Sequence, residues 1–288
     1  MVDILFGLDV PPSAAPGSDP VTEARRAEAL GFDFVSTSDH PCGNQPSYEN
    51  WTMLSWIAAN TSRIRVANRV LGVPYRPPAM VAKMAETFNR LSGGRLILGL
   101  GGGASDDEFR AFGLNVPSPR DKVDGLEEAI RIIHGLWSQP SFTYQGRLFH
   151  TDAAEIAPKP DGHIPIWLGT FGKRSLGVTG RLADGWIPSY GMLMPDDIPA
   201  MREHILAGAR EAGRGPEAIT CAYNMEISVD DSTDPDLVSG SADAVAEQLI
   251  RIVKLGMTAF NFKPVGGDRG EQVERLARQV IPAVRAGV

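Results

Sequence analysis

The amino-acid sequence predicts an α/β protein, a (β/α)8 TIM barrel with insertions at its rim. Short runs of apolar and β-branched residues alternate with longer segments of helical period, which is the pattern of a parallel sheet with helical crossovers. Eight such pairs follow one another, and their strands are nearly continuous apolar runs, as in strands buried on both faces. No linker divides the 288 residues, so we expect a single barrel domain over residues 1–288.

The first half of the chain contains four predicted strand and helix pairs. Asp19 can cap the first helix and Gly31 can end it, because Asp accepts amide hydrogen bonds and glycine adopts left-handed backbone angles. The predicted strands span residues 4–10, 32–37, 64–71 and 95–100, and the predicted helices span 19–30, 51–60, 78–91 and 121–137.

In the third and fourth helices, apolar residues repeat at helical spacing, which predicts one buried face for each helix. These residues are Met80, Met84, Phe88 and Leu91 in the third helix, and Leu126, Ile130, Ile133 and Trp137 in the fourth. A long insertion, residues 104–120, separates the fourth strand and its glycine run from the fourth helix.

The second half of the chain continues the alternation of strands and helices after an excursion at 141–163. Residues 142–150 alternate around Gln145 and Gly146 as a β-hairpin would, and the proline-rich segment that follows is unsuited to a helix, so we expect a small excursion across part of the rim. The predicted strands span 166–169, 184–188, 218–229 and 257–263, and the helices 173–182, 195–212, 242–255 and a last one around 273–284.

Composition excludes several classes of protein. The net charge of -7 and the scattered Lys and Arg residues argue against a nucleic-acid partner. No apolar segment approaches the roughly 20 residues of a membrane span, and the first residues lack an export signal, so we expect a cytoplasmic protein without a membrane partner. The two cysteines and five histidines show no metal-ligand spacing, and no catalytic metal is expected.

The chemistry of such a barrel lies at the carboxyl ends of its strands. Asp39 and His40 directly follow the second strand, and a carboxylate beside an imidazole can supply a proton donor or acceptor. The structural alternative is that Asp39 caps the next turn and His40 packs on the rim. Cys42, two residues further on, lacks the partners of a nucleophile and is interpreted as incidental.

Two further rim segments are candidates for ligand binding. Gly101, Gly102 and Gly103 follow the fourth strand, where a ligand ring or phosphate can approach the backbone. Residues 169–175 open a helix with free amides, hydroxyls and the cations Lys173 and Arg174, and cations in a first turn favour an anion nearby. Solvated first-turn residues and ordinary tight turns are the alternatives.

Polar residues also alternate toward the predicted barrel lumen. Asp9, Asn224, Glu226, Asn261 and Lys263 lie on that face of their strands and could hold a substrate. Internal ion pairs of Lys263 with Asp9 or Glu226 are the alternative.

Taken together and in this order, five segments resemble the luciferase-like monooxygenase superfamily, whose members bind FMN or the deazaflavin coenzyme F420 in a (β/α)8 barrel. The resemblance spans nearly the whole chain. The segments are TEARRAEALGFDFVSTSDH, RPPAMVAKMAETFNRLSGGRLILGLGGG, DEFRAFGLNVPSPRDKVDGLEEAIRIIHGLW, PKPDGHIPIWLGTFG with RLADGW, and SADAVAEQLIRIVKLGMTAF.

The resemblance to the F420-using branch implies roles for particular residues. Asp39 would contact the ring system and His40 would serve as proton donor, and a non-proline cis peptide bond at the end of the third strand would support the ring. The implied cofactor-binding positions are Asp39, Asn68, Arg69, Val70, Gly101, Gly102, Gly103, Gly169, Thr170, Phe171, Gly172 and Lys173.

The sequence departs from the family pattern at two positions. Ala104 stands where the sugar-phosphate and alcohol dehydrogenases place a catalytic Glu, and Asn44 replaces an aromatic residue that follows the His. Proton transfer then depends on His40, with Glu226, Asn224 or Ser105 as helpers, and reduction of a C=C or C=N bond is at least as well supported as alcohol oxidation.

Three functions are therefore compared. The first is hydride transfer between F420 and a small organic substrate, with an F420 or flavin reductase as an indirect partner. The second is a two-component FMN monooxygenase, and the third is a non-catalytic barrel that sequesters a flavin or senses a ligand. The resemblance further implies a homodimer packed through the second and third helices, where Trp51, Trp56 and Met80 supply apolar surface.

Overall fold

Eight parallel strands close into a ring in the computed structural model, which describes residues 4–230, 234 and 237–288. In the described residues the strands are β1 (Leu5–Asp9), β2 (Phe34–Thr37), β3 (Arg65–Asn68), β4 (Leu71–Gly72), β5 (Leu96–Gly101), β6 (Phe142–Gln145), β7 (His150–Ala154), β8 (Ile166–Leu168), β9 (Gly185–Trp186), β10 (Thr220–Val229), β11 (Val238–Gly240) and β12 (Ala259–Pro264). The ring order is β12-β1-β2-β3-β5-β8-β9-β10, with β10 paired to both β9 and β12, and this confirms the predicted (β/α)8 barrel.

Helices surround this ring and begin where the sequence supplies capping groups. Asp19 accepts hydrogen bonds from the amides of Val21 and Thr22, and Gly31 ends the first helix with φ of 83°, as predicted. The α-helices are α1 (Pro20–Leu30), α2 (Asn50–Ala59), α3 (Pro78–Leu91), α4 (Asp106–Ala111), α5 (Pro119–Ser138), α6 (Lys173–Leu182), α7 (Ile198–Glu211), α8 (Ala242–Lys254), α9 (Arg269–Arg275) and α10 (Ile281–Ala286). In the part of the chain that is described, no helix is long and apolar enough to cross a membrane.

The core has two apolar layers, one outside the barrel and one inside it. The outer layer packs the strands against the helices, and the inner layer fills the lumen. Phe34 and Trp167 meet edge to face in the lumen with ring centroids 5.5 Å apart. The lumen residues are Phe34, Ala67, Ile97, Trp167, Ile187, Ala222 and Ala259.

The predicted buried face of α3 is wrong at two positions. Met80 and Leu91 are 54% and 84% exposed, whereas Phe88 is buried as expected. The helix instead packs on the barrel through Val81, Ala82, Ala85 and Phe88, because the small alanines allow a close approach. The predicted stripe on α5 is confirmed at Leu126, Ile130 and Ile133, which are buried.

The excursion at 141–163 contains the predicted hairpin, formed by antiparallel β6 and β7. It packs along α5, where the Glu128 carboxylate accepts hydrogen bonds from the amides of Arg147, Leu148 and Phe149. These three bonds hold the hairpin turn on the outside of the barrel. The predicted hairpin is therefore confirmed, with its turn held against α5.

Gly99 illustrates how closely β3 and β5 approach, since a Cβ atom there would lie 1.8 Å from the carbonyl oxygen of Asn68. We expect Gly99→Ala to lower the free energy of unfolding by about 1–3 kcal/mol, because the backbone must move to admit the methyl group. Urea denaturation measures this. Gly43→Ala is the control, because a Cβ atom there meets nothing within 4 Å; equal losses in both variants would contradict the argument.

Candidate active site

A cavity of about 390 Å³ opens at the carboxyl ends of the barrel strands. Its size falls within the range of about 300–1,000 Å³ that small-molecule and cofactor pockets occupy. Polar and apolar side chains alternate around it, and glycines form one wall. The lining residues are Ser38, Asp39, His40, Arg69, Val70, Gly72, Tyr75, Gly101, Gly102, Gly103, Ala104, Ser105, Gly169, Phe171, Ile187, Ser189 and Met192.

Most of the residues singled out from the sequence line this cavity, but four of the predicted cofactor-binding residues do not. Asn68 is buried and its amide donates to Asn50 Oδ1 at 2.5 Å. The hydroxyl of Thr170 bonds to that of Thr179 at 2.8 Å, and Gly172 is the N-cap residue of α6. Lys173 lies in a separate groove between α6 and α7.

The first turn of α6 receives an anion from the protein itself. Arg174 forms an ion pair with Asp124 of α5, and Arg147 from the hairpin turn contacts the same carboxylate at 2.6 Å. The hydrogen bonds from Arg174 and Arg147 lower the pKa of Asp124 to about 2. The expected anion beside Arg174 is therefore a side chain, and among these two cations only Lys173 is left for a bound phosphate.

Asp39 is held rigidly in the cavity wall. Its buried carboxylate accepts two hydrogen bonds from Arg76, at 2.8 and 3.1 Å, and one from the amide of Gly72 at 3.0 Å. Arg76 also pairs with Glu49, the N-cap residue of α2. Because such a bidentate pair fixes both partners, Asp39 anchors the loop that carries His40.

His40 projects from that loop and meets a carboxylate. Its Nδ1 lies 2.8 Å from Oε1 of Glu108, and the other carboxylate oxygen accepts from the hydroxyl of Tyr75 at 2.7 Å. Burial, together with the hydrogen bond to Glu108, raises the pKa of Tyr75 well above its usual value, so its hydroxyl remains a donor. Since Nδ1 is engaged by Glu108, Nε2 is the nitrogen of His40 available to a ligand.

Glu108 is the important residue that the sequence reasoning missed. It lies in α4, within the insertion that follows Ala104. The signal was present, because Ser105 and Glu108 have the spacing of a helix start in which Ser caps the helix and Glu stands three residues later. The Ser105 hydroxyl accepts from the Glu108 amide as that pattern predicts. Glu108 therefore places a carboxylate beside His40, four residues after Ala104.

Another part of the cavity wall is built by close packing around Val70. The peptide bond between Arg69 and Val70 is cis, at the place that the family resemblance implied. A Cβ atom on Gly101 would lie 2.6 Å from the Val70 side chain, and one on Gly169 would lie 3.2 Å from it. These glycines make room for Val70, and Gly103 similarly makes room for the ring of Phe109. The glycine run therefore allows close packing within the wall, and it also leaves the backbone open to the cavity.

Arg69 lies beside Val70 and adds a cation to the cavity. Its guanidinium contacts the buried carboxylate of Asp9 at 2.7 Å. The Nε of Arg69 is buried and has no hydrogen-bond partner in the described part of the chain. Because buried donors are normally satisfied, this atom leaves a donor at the wall for a bound ligand.

The polar lumen residues divide into two groups. Glu226 and Lys263 pair with each other at 2.6 Å and are each 46% exposed, so they form the predicted alternative of an ion pair and do not line the cavity. Asn224 and Asn261 are buried and hydrogen-bonded to each other. Cys42 and Asn44 also lie outside the cavity wall, and in the described residues no group of three His, Cys, Asp or Glu side chains could hold a metal ion.

Comparisons with known proteins assign the chain to a family. The model of the luciferase-like monooxygenase family matches residues 4–235. An F420-dependent glucose-6-phosphate dehydrogenase of Kineococcus radiotolerans is 33% identical, covering 91% of this chain and 91% of that relative. The chain belongs to the luciferase-like monooxygenase family, and the resemblance to its F420-dependent branch is confirmed.

Two further similarities agree with this assignment. A relative of the same name from Nakamurella multipartita is 32% identical over 71% of this chain, and the match spans 61% of that relative's length. Among solved structures, an F420-dependent secondary alcohol dehydrogenase in complex with an F420-acetone adduct has a TM-score of 0.88 at 21% identity, covering 98% of this chain and 99% of that one. This last likeness concerns the fold.

The contact between His40 and Glu108 predicts which neutral form of the imidazole is present. We expect the Nδ1–H form in the protein, because the Glu108 carboxylate accepts that proton, and a shift toward the Nε2–H form in Glu108→Ala. Nitrogen-15 NMR of the histidine ring distinguishes the two forms. Asp107→Ala is the matched control, since Asp107 is 95% exposed and pairs with Arg110. An unchanged form in Glu108→Ala would show that Glu108 does not control His40.

Proposed function

We propose that this chain is an F420-dependent oxidoreductase that transfers a hydride between the deazaflavin ring and a small organic substrate, with His40 as proton donor or acceptor. One observation carries the proposal: His40, oriented by Glu108, faces the same cavity as the wall formed by Arg69 and Val70. The F420-dependent relatives support the choice of cofactor. Reduction of a C=C or C=N bond remains at least as well supported as alcohol oxidation, because Ala104 provides no acid at its position.

The lining of the cavity suits the ring of such a cofactor in its chemistry. Val70 and Ile187 provide apolar contact for a flat ring, and Arg69 supplies the unsatisfied donor described above. Asp39, the glycines 101–103, Gly169 and Phe171 would complete the binding wall. Bound F420 supplies a two-electron hydride carrier. Lys173, beyond Phe171 at the start of α6, is the candidate for an anionic group of the cofactor.

His40 can hold a proton at Nε2 and exchange it with solvent. Its side chain is 55% exposed, so water can restore the proton after each transfer. Glu108 and Tyr75 keep the ring in one orientation through contacts of 2.8 and 2.7 Å. Phe171, Ile187 and Met192 line the cavity with apolar surface, which excludes water from the reacting atoms.

The same proposal includes partners. A separate reductase would restore the cofactor in the cytoplasm, and the chain would form a homodimer through α2 and α3. The apolar surface there supports the dimer, since Tyr48, Trp56, Met80 and Leu91 are 46%, 66%, 54% and 84% exposed. Trp51 packs against Phe88 with ring centroids 5.6 Å apart, which joins the two helices into one continuous face.

The proposed function is tested first by cofactor binding. We expect fluorescence titration to show micromolar binding of oxidised F420 and much weaker binding of FMN. His40→Ala should retain this binding and lose turnover, because the imidazole acts on a proton rather than on the affinity. Lys173→Ala should bind F420 about twofold to fivefold more weakly, the size of one exposed ion pair.

Lys254→Ala is the control for Lys173→Ala, because Lys254 lies in the last turn of α8. Binding of FMN alone, with oxygen uptake when FMN is reduced, would replace the proposal with a two-component monooxygenase. Binding of F420 without turnover on any substrate would favour a sequestering or sensing barrel.

The proposed dimer is tested by a charge on its apolar face. We expect Trp56→Glu to convert the protein from dimer to monomer, because the buried carboxylate would be unpaired. Light scattering after size exclusion measures the mass. Leu148→Glu is the matched control, since Leu148 is 38% exposed on the hairpin turn. A monomer in the unsubstituted protein would contradict the dimer proposal.

A further inference from the structure

Four polar side chains form a hydrogen-bonded chain across the barrel, directly above the apolar lumen. The hydroxyl of Ser36 donates to Oδ1 of Asn261 at 2.9 Å. Nδ2 of Asn261 donates to Oδ1 of Asn224 at 2.8 Å, and Nδ2 of Asn224 donates to the hydroxyl oxygen of Ser189 at 3.0 Å. We name these residues, Ser36, Asn261, Asn224 and Ser189, the lumen chain.

The lumen chain is fixed by burial and by strand register. Ser36 and Asn261 are completely buried and Asn224 is 8% exposed, so their polar groups depend on one another for hydrogen bonds. Asn224 and Asn261 are paired positions of β10 and β12. Phe34, Ala222 and Ala259 form the apolar layer two residues earlier on these three strands, and this layer separates the amides from the far end of the barrel.

The direction of the lumen chain decides what Ser189 can do. Each member donates toward Ser189, whose oxygen accepts the last bond, and among the described residues the proton of Ser189 has no hydrogen-bond acceptor. A run of bonds with one direction polarises its last hydroxyl and strengthens it as a donor. Ser189 is also the member of the lumen chain that lines the cavity.

Ser189 and His40 reach the cavity from opposite sides. Ser189 follows β9 and His40 follows β2, and these strands stand four places apart in the eight-stranded ring. A donor and a proton carrier placed in this way suit a substrate whose hydrogen-bond acceptor is a different atom from the one that receives the proton. In a simple ketone or alcohol both groups would have to reach a single oxygen.

We propose that Ser189 binds the carbonyl oxygen of a substrate in which a C=C bond is conjugated to that carbonyl, and that the lumen chain makes it a donor. The inference rests on the proposed function. Bound F420 in its reduced form would supply a hydride to the β-carbon, and the C=C electron pair would move to form an enolate, whose oxygen the Ser189 hydroxyl would stabilise. The enolate would re-form the carbonyl as its α-carbon takes a proton from Nε2 of the His40 imidazolium, which would leave the neutral Nδ1–H form, so the substrate would gain one hydride and one proton.

The first test is spectroscopic and uses the protein loaded with oxidised F420, which cannot reduce the substrate. We expect infrared difference spectra to show a lowered C=O stretching frequency for bound 2-cyclohexen-1-one. The shift should disappear in Ser189→Ala and remain in Ser189→Thr, which keeps a hydroxyl. An equal shift in Ser189→Ala and the unsubstituted protein would overturn the proposal.

The second test is kinetic and uses reduced F420. For 2-cyclohexen-1-one, Ser189→Ala should lower kcat/KM about 10- to 100-fold with F420 affinity unchanged, the scale of one lost donor to a developing oxyanion. Ser36→Ala, at the far end of the lumen chain, should lower it about two- to threefold through polarisation alone. Ser138→Ala is the control, since its hydroxyl bonds to a carbonyl within α5.

The outcomes separate this inference from the proposed function. If F420 binds and its reduced form is oxidised by cyclohexanone but not by 2-cyclohexen-1-one, the substrate class is wrong and the oxidoreductase stands. If Ser189→Ala reduces the enone as fast as the unsubstituted protein, Ser189 has no role in binding the carbonyl oxygen. Failure of F420 to bind at all would reject the proposed function instead.

Discussion

A buried ion pair between Asp39 and Arg76 joins the two loops on which the candidate site is built. Asp39 precedes His40 in the loop after β2, and Arg76 follows Tyr75 in the segment after β3. Because both oxygens of Asp39 are engaged by one guanidinium, the two loops are held at one separation and angle. His40 and Tyr75 then meet the two oxygens of Glu108 from opposite sides. Removing Arg76 would leave the buried carboxylate of Asp39 without a cation, at a cost of about 3–5 kcal/mol.

The second constraint on the site is steric. Val70 enters the wall between Gly101 and Gly169, and the carbonyl of Asn68 comes so close to β5 that only glycine fits at position 99. The shape of the cavity wall therefore depends on glycines, which have no side chain, at positions 99, 101 and 169 of the neighbouring strands and the loop after β8. A small displacement of one wall residue would therefore displace its neighbours, because protein interiors have few voids into which atoms can move.

The barrel and the location of its candidate site were predictable because the signals are local. Alternating strand and helix periods, the cap at Asp19 and the stop at Gly31 depend on residues within a few positions of one another. Parallel strands in a ring bring their carboxyl ends together, so Asp39, His40 and the glycine run had to meet at one rim. The α3 prediction failed at Met80 and Leu91, because small alanines rather than large apolar residues determine which side of α3 approaches the barrel.

The sequence by itself determined the fold class, the family, the rim as the site and His40 as the residue to examine. The tertiary structure alone decided which partners these residues take. Glu108 reaches His40 across 68 positions of the chain, Asp124 reaches Arg174 across 50, and Ser36 is joined to Asn261 across 225. No periodicity encodes such pairs, because hydrogen bonds and ion pairs depend on atoms coming within about 3 Å in space, whatever their separation along the chain.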